Sequence, residues 1–359
     1  MTELLEAGLT SLTQYAGTTV LLANGEETFS GEILASGPPA EIVPTLRGTE
    51  RAVVVLPFSP DEPAIAHRVR RSDTVVPKVT DRARSHRVEE EPSASTYAIR
   101  VADALERIER GELDKVVLGR GLRITSTPAW EPEELLARLL ATRPGRYVFS
   151  VPTPHGTLLG ASPELLVRRR GTRVESLPLA GSLPRVDDPR EDAERSAQLQ
   201  RSTKDLAEHR YVVDQIVGAL ADVAEQTAAP AEPVLVSTDT LWHLATPIEA
   251  TLGDTGLSAL DLALLLHPTP AMGGVPSAAA LAAIAEIERD SRGPLTGAVG
   301  WVDAHGDGEF ALAIRAGVLH EETFRLFAGA GIVEGSVPSA EVVETGAKLA
   351  TMLRVVGLA

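Results

Sequence analysis

The stretch FRLFAGAGIVEGSVPSAEVVETGAK (Phe324–Lys348) changes its period part-way. Phe324–Phe327 has the apolar, aromatic character of a strand, and Ser339–Val355 repeats its apolar residues at helical spacing. Between them the glycines of FAGAGI (Phe327–Ile332) let backbone N–H groups approach an anion closely, and a tight structural turn explains them equally well. They form no dinucleotide fingerprint, because the spacing is wrong and no helix opens directly after them. On the helix, Glu341 and Glu344 fall on one face, with Lys348 one turn later. Oxygen donors beside a cation suit a hard metal ion and an anionic ligand together.

Upstream, strands are expected at Gly297–Val302 and Phe310–Val318, and helices at Glu191–Val223, Leu257–Leu266 and Ser277–Arg289. Further back, Ala98, Val101, Ala102, Leu105 and Ile108 give Ser95–Arg110 an amphipathic helical pattern that Gly111 stops. A strand at Lys115–Leu118, a helix at Pro132–Ala141 and several β stretches between Arg146 and Leu177 follow. The first part offers strands at Thr18–Leu22, Ser30–Leu34 and Ala52–Leu56. From His67 to Glu91 the chain is dense in Arg, Asp and Glu, which reads as a solvated connector. The alternation of helices and strands without a fixed repeat makes this a mixed α/β (α+β) chain.

Composition narrows the function. With 359 residues, 43% hydrophobic and 23% charged, the chain can bury a substantial core. A net charge of −16 argues against nucleic acid and anionic membrane as partners, so a small anionic substrate needs a local positive site. The absence of cysteine removes disulfides, thiolate catalysis and cysteine-ligated zinc. No basic stretch leads into an apolar core at the start and no apolar run approaches spanning length, so cytoplasmic location without membrane insertion is expected.

Other segments carry candidate chemistry. Glu208 in STKDLAEH (Ser202–His209) adds an acid that completes an oxygen-rich magnesium site with Glu341 and Glu344, and no histidine cluster has zinc spacing. Taken singly, each acid is the ordinary decoration of a solvated helix face. His243 lies in the apolar run LWHLATP (Leu241–Pro247), where a core histidine is the commoner outcome. HPTPA (His267–Ala271) followed by Met272–Gly274 is a helix breaker suited to a pocket wall, with a cis peptide as one way of turning. No phosphate-binding loop or clustered Asp motif supports phosphoryl chemistry.

Taken in order, these segments resemble the chorismate-utilising enzymes, particularly isochorismate synthases. The resemblance runs from about Ser95 to Ala359 through LDKVVL (Leu113–Leu118), LLGASPELL (Leu158–Leu166), LPLAGS (Leu177–Ser182), Ser202–His209 and Leu241–Pro247. It continues through His267–Gly274, GAVGW (Gly297–Trp301), AIR (Ala313–Arg315), Phe327–Ile332 and ETGAK (Glu344–Lys348). It implies one domain over residues 1–359, with 1–94 a variable N-terminal portion and 95–359 catalytic, built of two large antiparallel or mixed sheets surrounded by helices with the site in the cleft between them.

The resemblance further implies a magnesium-dependent isomerisation of chorismate to isochorismate, by water addition at C2 and loss of the C4 hydroxyl. Lys115 matches the lysine that takes a proton from water, and Glu164 the acid that protonates the departing hydroxyl. Glu208 and Glu344 match the magnesium ligands, with Glu341 direct or water-mediated; Arg315, Lys348 and Gly329 match substrate-carboxylate contacts, and Gly181 and His243 pocket positions. Ala180 replaces the lysine nucleophile common in aminodeoxychorismate synthases, and anthranilate synthases usually lack a lysine matching Lys115. Water rather than ammonia is therefore favoured, with no amidotransferase partner, and a monomer is expected. Salicylate synthases, which go on to eliminate pyruvate, often have a tyrosine at the position of Leu295 and are the alternative. The intact acid, base and metal set disfavours a non-catalytic paralogue. Isochorismate feeds both siderophore and menaquinone pathways.

Overall fold

A computed structural model describes residues 19–72, 79, 82–142, 146–238 and 240–358. The chain opens with β1 (Thr19–Ala23), β2 (Thr28–Gly37), α1 (Pro39–Ile42), β3 (Arg51–Leu56), β4 (Ile65–Arg71), β5 (Ser85–Glu91) and α2 (Ala94–Glu109). Next come β6 (Lys115–Thr127), α3 (Pro132–Thr142), β7 (Tyr147–Thr153), β8 (Gly156–Ser162), β9 (Leu165–Arg170), β10 (Arg173–Leu177) and β11 (Leu179–Pro184). Helices α4 (Pro189–Arg201) and α5 (Thr203–Ala221) precede β12 (Ala224–Ala228), β13 (Val234–Ser237), β14 (Leu241–Ala245) and β15 (Ile248–Leu252). The last part holds α6 (Ala259–Leu266), β16 (Gly274–Val275), α7 (Ser277–Glu288), β17 (Ala298–Asp303), β18 (Gly308–Leu312), β19 (Ala316–His320), β20 (Thr323–Val333) and α8 (Pro338–Val355).

Among the described residues every strand pairing is antiparallel, in a 17-stranded network and a three-stranded sheet β11-β14-β13. The network has two large halves. One runs β5-β6-β20-β19-β8-β7, the other β2-β4-β3-β17-β18-β9-β10-β15-β12, and β1 joins them by pairing with both β7 and β2. Strand alternation explains how the halves pack. Val53 and Val55 of β3 meet Phe149, Leu158 and Val318 of the other half, while Ala52, Val54 and Leu56 turn to a helix-covered face. Leu158 likewise enters this inter-sheet core, whereas its neighbour Leu159 packs outward beneath Leu135 and Leu139 of α3 and Met352 of α8. With both faces covered, β3 reads as a continuous apolar run from Ala52 to Leu56, and β7 is buried along its whole length.

Four sequence expectations change. The solvated connector at His67–Glu91 contains β4 and β5: Arg68 and Arg70 alternate with buried His67 and Val69, a period of two that marks a strand, and β5 is an edge strand on β6. Residues 73–78, 80 and 81 of that segment, like Thr18 of the first strand, lie outside the described residues. The single helix expected at Glu191–Val223 is broken at Ser202, whose Oγ accepts a hydrogen bond from the Asp205 N–H at 3.2 Å and caps α5. Phe310–Val318 is interrupted at Ala313–Arg315, where Arg315 has a φ of 49°. The glycines of Phe327–Ile332 make no turn; they continue β20 in register with β6, Phe327 opposite Gly121 and Ile332 opposite Val116.

Candidate active site

A cleft with about 650 Å³ of atom-free space, partly open to solvent, lies where β6 and β20 meet β11, β14, α5 and α8. Glu164, Gly181, Glu208, His243, Arg315, Gly329 and Lys348 all line it, together with Ala180. Lys115, Glu341 and Glu344 stand behind the wall: Lys115 is tied to it through Glu208 and Glu344 through Lys348, while Glu341 pairs with Lys204 outside the lining.

Glu164 occupies the turn between β8 and β9. Its own N–H donates to Ser162 Oγ at 3.2 Å, and its Oε1 accepts from the Leu179 N–H at 3.2 Å. Burial pushes its carboxyl up to about 8, against the opposing pull of that N–H and of the Lys115, Arg315 and Lys348 charges. At neutral pH Glu164 therefore carries a proton.

Arg315 sits in the left-handed region, which an arginine rarely adopts, and this bend between β18 and β19 turns its guanidinium into the cleft. Burial lowers its pKa to about 10, Glu344 and Glu164 opposing, so it remains charged. It makes no side-chain hydrogen bond with the described residues, leaving a planar fork open to an anion. His243 on β14 has a buried Nε2 with no hydrogen-bond partner among the described residues; burial, then the Arg315 and Lys348 charges, keep its imidazole neutral.

Fully buried Lys115 opens β6, and its Nζ lies 3.1 Å from Glu208 Oε1, outside hydrogen-bond alignment. Beneath the pair runs Gly331: a Cβ there would overlap Glu208 and stand 3.0 Å from Lys115 Cε. Gly181, with a φ of 76° at the β11 bulge, has Asp205 Cβ 3.0 Å from where its own Cβ would be.

On α8, Glu341 and Glu344 do share a face as the spacing predicts. Each acid has a lysine partner: Lys204 Nζ is 2.7 Å from Glu341 Oε1, and Lys348 Nζ is 2.6 Å from Glu344 Oε1. Ser182 Oγ donates to Glu344 at 3.1 Å, and Lys348 also donates to the Gly329 carbonyl at 2.9 Å. Burial and the neighbouring Glu344 charge raise Glu341 to about 7; at Glu344 burial pushes upward, but Lys348 outweighs it and the carboxyl is lowered. As positioned, no group of three or more His, Asp or Glu among the described residues stands close enough to hold a metal. The donor chemistry nevertheless fits a hard cation, since these are carboxylate oxygens and Glu341 Oε2 is buried with no hydrogen-bond partner among the described residues. Cation binding here requires the acids to exchange lysine partners for the ion.

The family model described as chorismate binding enzyme matches residues 61–357. The chain belongs to the chorismate-binding enzymes. Isochorismate synthase DhbC of Bacillus subtilis (strain 168) is 46% identical over 274 residues, 74% of this chain and 69% of that protein. Isochorismate synthase EntC of Escherichia coli (strain K12) is 46% identical over 268 residues, 74% of this chain and 68% of the relative. The crystal structure of a protein titled putative 2,3-dihydroxybenzoate-specific isochorismate synthase, DhbC from Bacillus anthracis, superposes with a TM-score of 0.88 at 34% identity, covering 98% of this chain and 100% of the other.

In this chorismate-binding enzyme the sequence reading missed Lys204, Ser182, Gly331 and His209 as partners of the site. His209 Nε2 is 2.7 Å from Thr246 Oγ1, and burial together with the Lys115 charge lowers its pKa to about 4, so a neutral ring adjoins Glu208. All four lay inside quoted segments, but which glycine or lysine touches which acid is a tertiary fact. Leu295 is buried in the inter-sheet core, and the neighbouring Thr296 lines the cleft instead. The His267–Pro268 peptide is cis, and Ala271 and Met272 beyond it form cleft wall.

Proposed function

We propose that this chain is an isochorismate synthase, an isomerase in which Lys115 and Glu164 divide the proton work and magnesium is held by Glu208 and Glu344 with Glu341. The observation that carries the reading is Glu164, a buried carboxyl in the cleft wall that holds its proton at neutral pH and so has one to give to the C4 hydroxyl as it leaves. Lys115 can act as base only as the neutral amine, so in this reading Glu208, whose Oε1 is 3.1 Å from Nζ, turns to the cation before Nζ takes a proton from the water that attacks C2. One water enters and one leaves, the ring double bonds shift, and no oxidant is needed. Arg315 receives a substrate carboxylate in its open fork, Lys348 adds positive charge, and the backbone at Gly181 and Gly329 leaves room for the ring. When bound, magnesium supplies charge against the ring carboxylate.

Ala180 in the cleft wall, in place of a lysine, supports water as nucleophile and chorismate turnover without an amidotransferase subunit. Residues 1–359 are read as one domain of this enzyme, a monomer acting in the cytoplasm; the pairing of β1 with β7 and of β3 with β17 supports the single domain. Among the described residues no helix is long and apolar enough to cross a membrane. The test is incubation of purified protein with chorismate and magnesium, with and without chelator and ammonium, followed by chromatography. Magnesium-dependent isochorismate without pyruvate supports the reading; salicylate with equimolar pyruvate, anthranilate, or no product overturns it.

A further inference from the structure

We infer that Glu288 and Arg292 form a positioning clamp that fixes the wall of the cleft for this reaction, an inference that rests on the function proposed above. Both side chains are almost completely buried, joined by two hydrogen bonds of 2.7 and 2.8 Å. Neither touches the cleft directly. The edge of β6 explains their place: β16 covers it at Lys115–Val116 and β5 from Gly121 onward, leaving the intervening backbone groups without a partner strand there. The ion pair fills that gap. Glu288 Oε1 accepts the Gly119 N–H at 2.8 Å, and Arg292 Nη2 donates to the Val117 carbonyl at 2.8 Å.

The same guanidinium reaches two other walls. Nη1 donates to the Met272 carbonyl at 3.0 Å and to Thr296 Oγ1 at 3.4 Å, and Cζ lies 5.1 Å from the centroid of the Phe327 ring. Val117, Met272, Thr296 and Phe327 all line the cleft. One rigid fork therefore sets the spacing of β6, β20 and the two turns that carry Met272 and Thr296, and Val117 lies two residues from Lys115. Lysine at 292 keeps the charge but offers one nitrogen where the fork offers three.

The test compares R292K and E288Q with R84K, which alters a buried Arg–Glu pair of similar burial whose partners line no part of the cleft. Chorismate turnover is measured per folded molecule, with circular dichroism and thermal melting alongside. We expect R292K and E288Q to lose kcat by roughly 10- to 100-fold, as a small misplacement of reacting groups does, with little change in KM and an unshifted pH profile. R84K is expected to lower the melting temperature and keep kcat. Wild-type kcat in folded R292K and E288Q, or a loss matched by R84K, overturns the clamp. So does failure of both to fold, which makes the pair purely structural. Absence of isochorismate from the wild-type enzyme overturns the proposed function itself, before any variant is measured.

Discussion

Glu208 lies against the backbone of β20 at Gly331, at a distance that only a residue without a side chain permits. Glu208 is thereby held beside Lys115, with Nζ 3.1 Å from Oε1. Gly331→Ala is expected to push the carboxylate away from the lysine and to lower kcat by about 100-fold. Melting curves and turnover measured together check this, and wild-type turnover in a folded G331A would contradict it.

Glu164→Gln keeps the shape of the side chain and Lys115→Gln shortens it, and both remove the proton chemistry. Turnover is expected to fall by about 10²- to 10⁴-fold in each, with the fold retained by circular dichroism. Both variants are expected still to bind magnesium, measured by calorimetry. Near-normal kinetics in either would remove that residue from the mechanism.

The pH profile tests Glu164 differently. Its carboxyl is raised to about 8 by burial, and the active form is the protonated one, so Glu164 is expected to set an alkaline limb in kcat/KM that declines above about pH 8, the acid side being set by the base. Gln at 164 cannot titrate, so the residual rate of Glu164→Gln should lose that alkaline limb. Rates measured from pH 6 to 10 decide the matter.

Arg315→Lys preserves charge but not the fork. Because the guanidinium is buried at a strained backbone position and makes no side-chain hydrogen bond among the described residues, its loss should fall on substrate affinity. A KM rise of about 10-fold is expected, the size of one lost charged hydrogen bond. An unchanged KM would mean that the carboxylate binds elsewhere.

Glu344→Ala removes one proposed ligand and frees Lys348 from its 2.6 Å partner. Magnesium affinity is expected to drop by roughly 10- to 100-fold. Titration of turnover and calorimetry without substrate should agree.

Much of this was legible along the chain because local periodicity reflects local burial. The helices at Ser95–Arg110, Pro132–Ala141 and Ser277–Arg289 correspond to α2, α3 and α7 within a residue or so, since each buries one stripe against a sheet. The pair Glu341 and Glu344 was readable for the same reason. Phe327–Ile332 misled: glycine in a sequence signals either a turn or a close approach, and here Gly329 and Gly331 serve close approach inside a straight strand. Ser202 misled in the opposite sense, because an N-cap within a helical pattern looks like one more helical residue.

The sequence by itself determined the order of elements, the alternation that buries both faces of strands such as β3, and the set of titratable residues available for chemistry. Those follow from properties of neighbouring residues. Only the tertiary structure decided that Glu164 is buried enough to keep its proton, that Glu208 faces Lys115 across Gly331, and that Glu288 and Arg292 complete the edge of β6. Each depends on desolvation or contact between groups far apart in the chain, which no local pattern encodes.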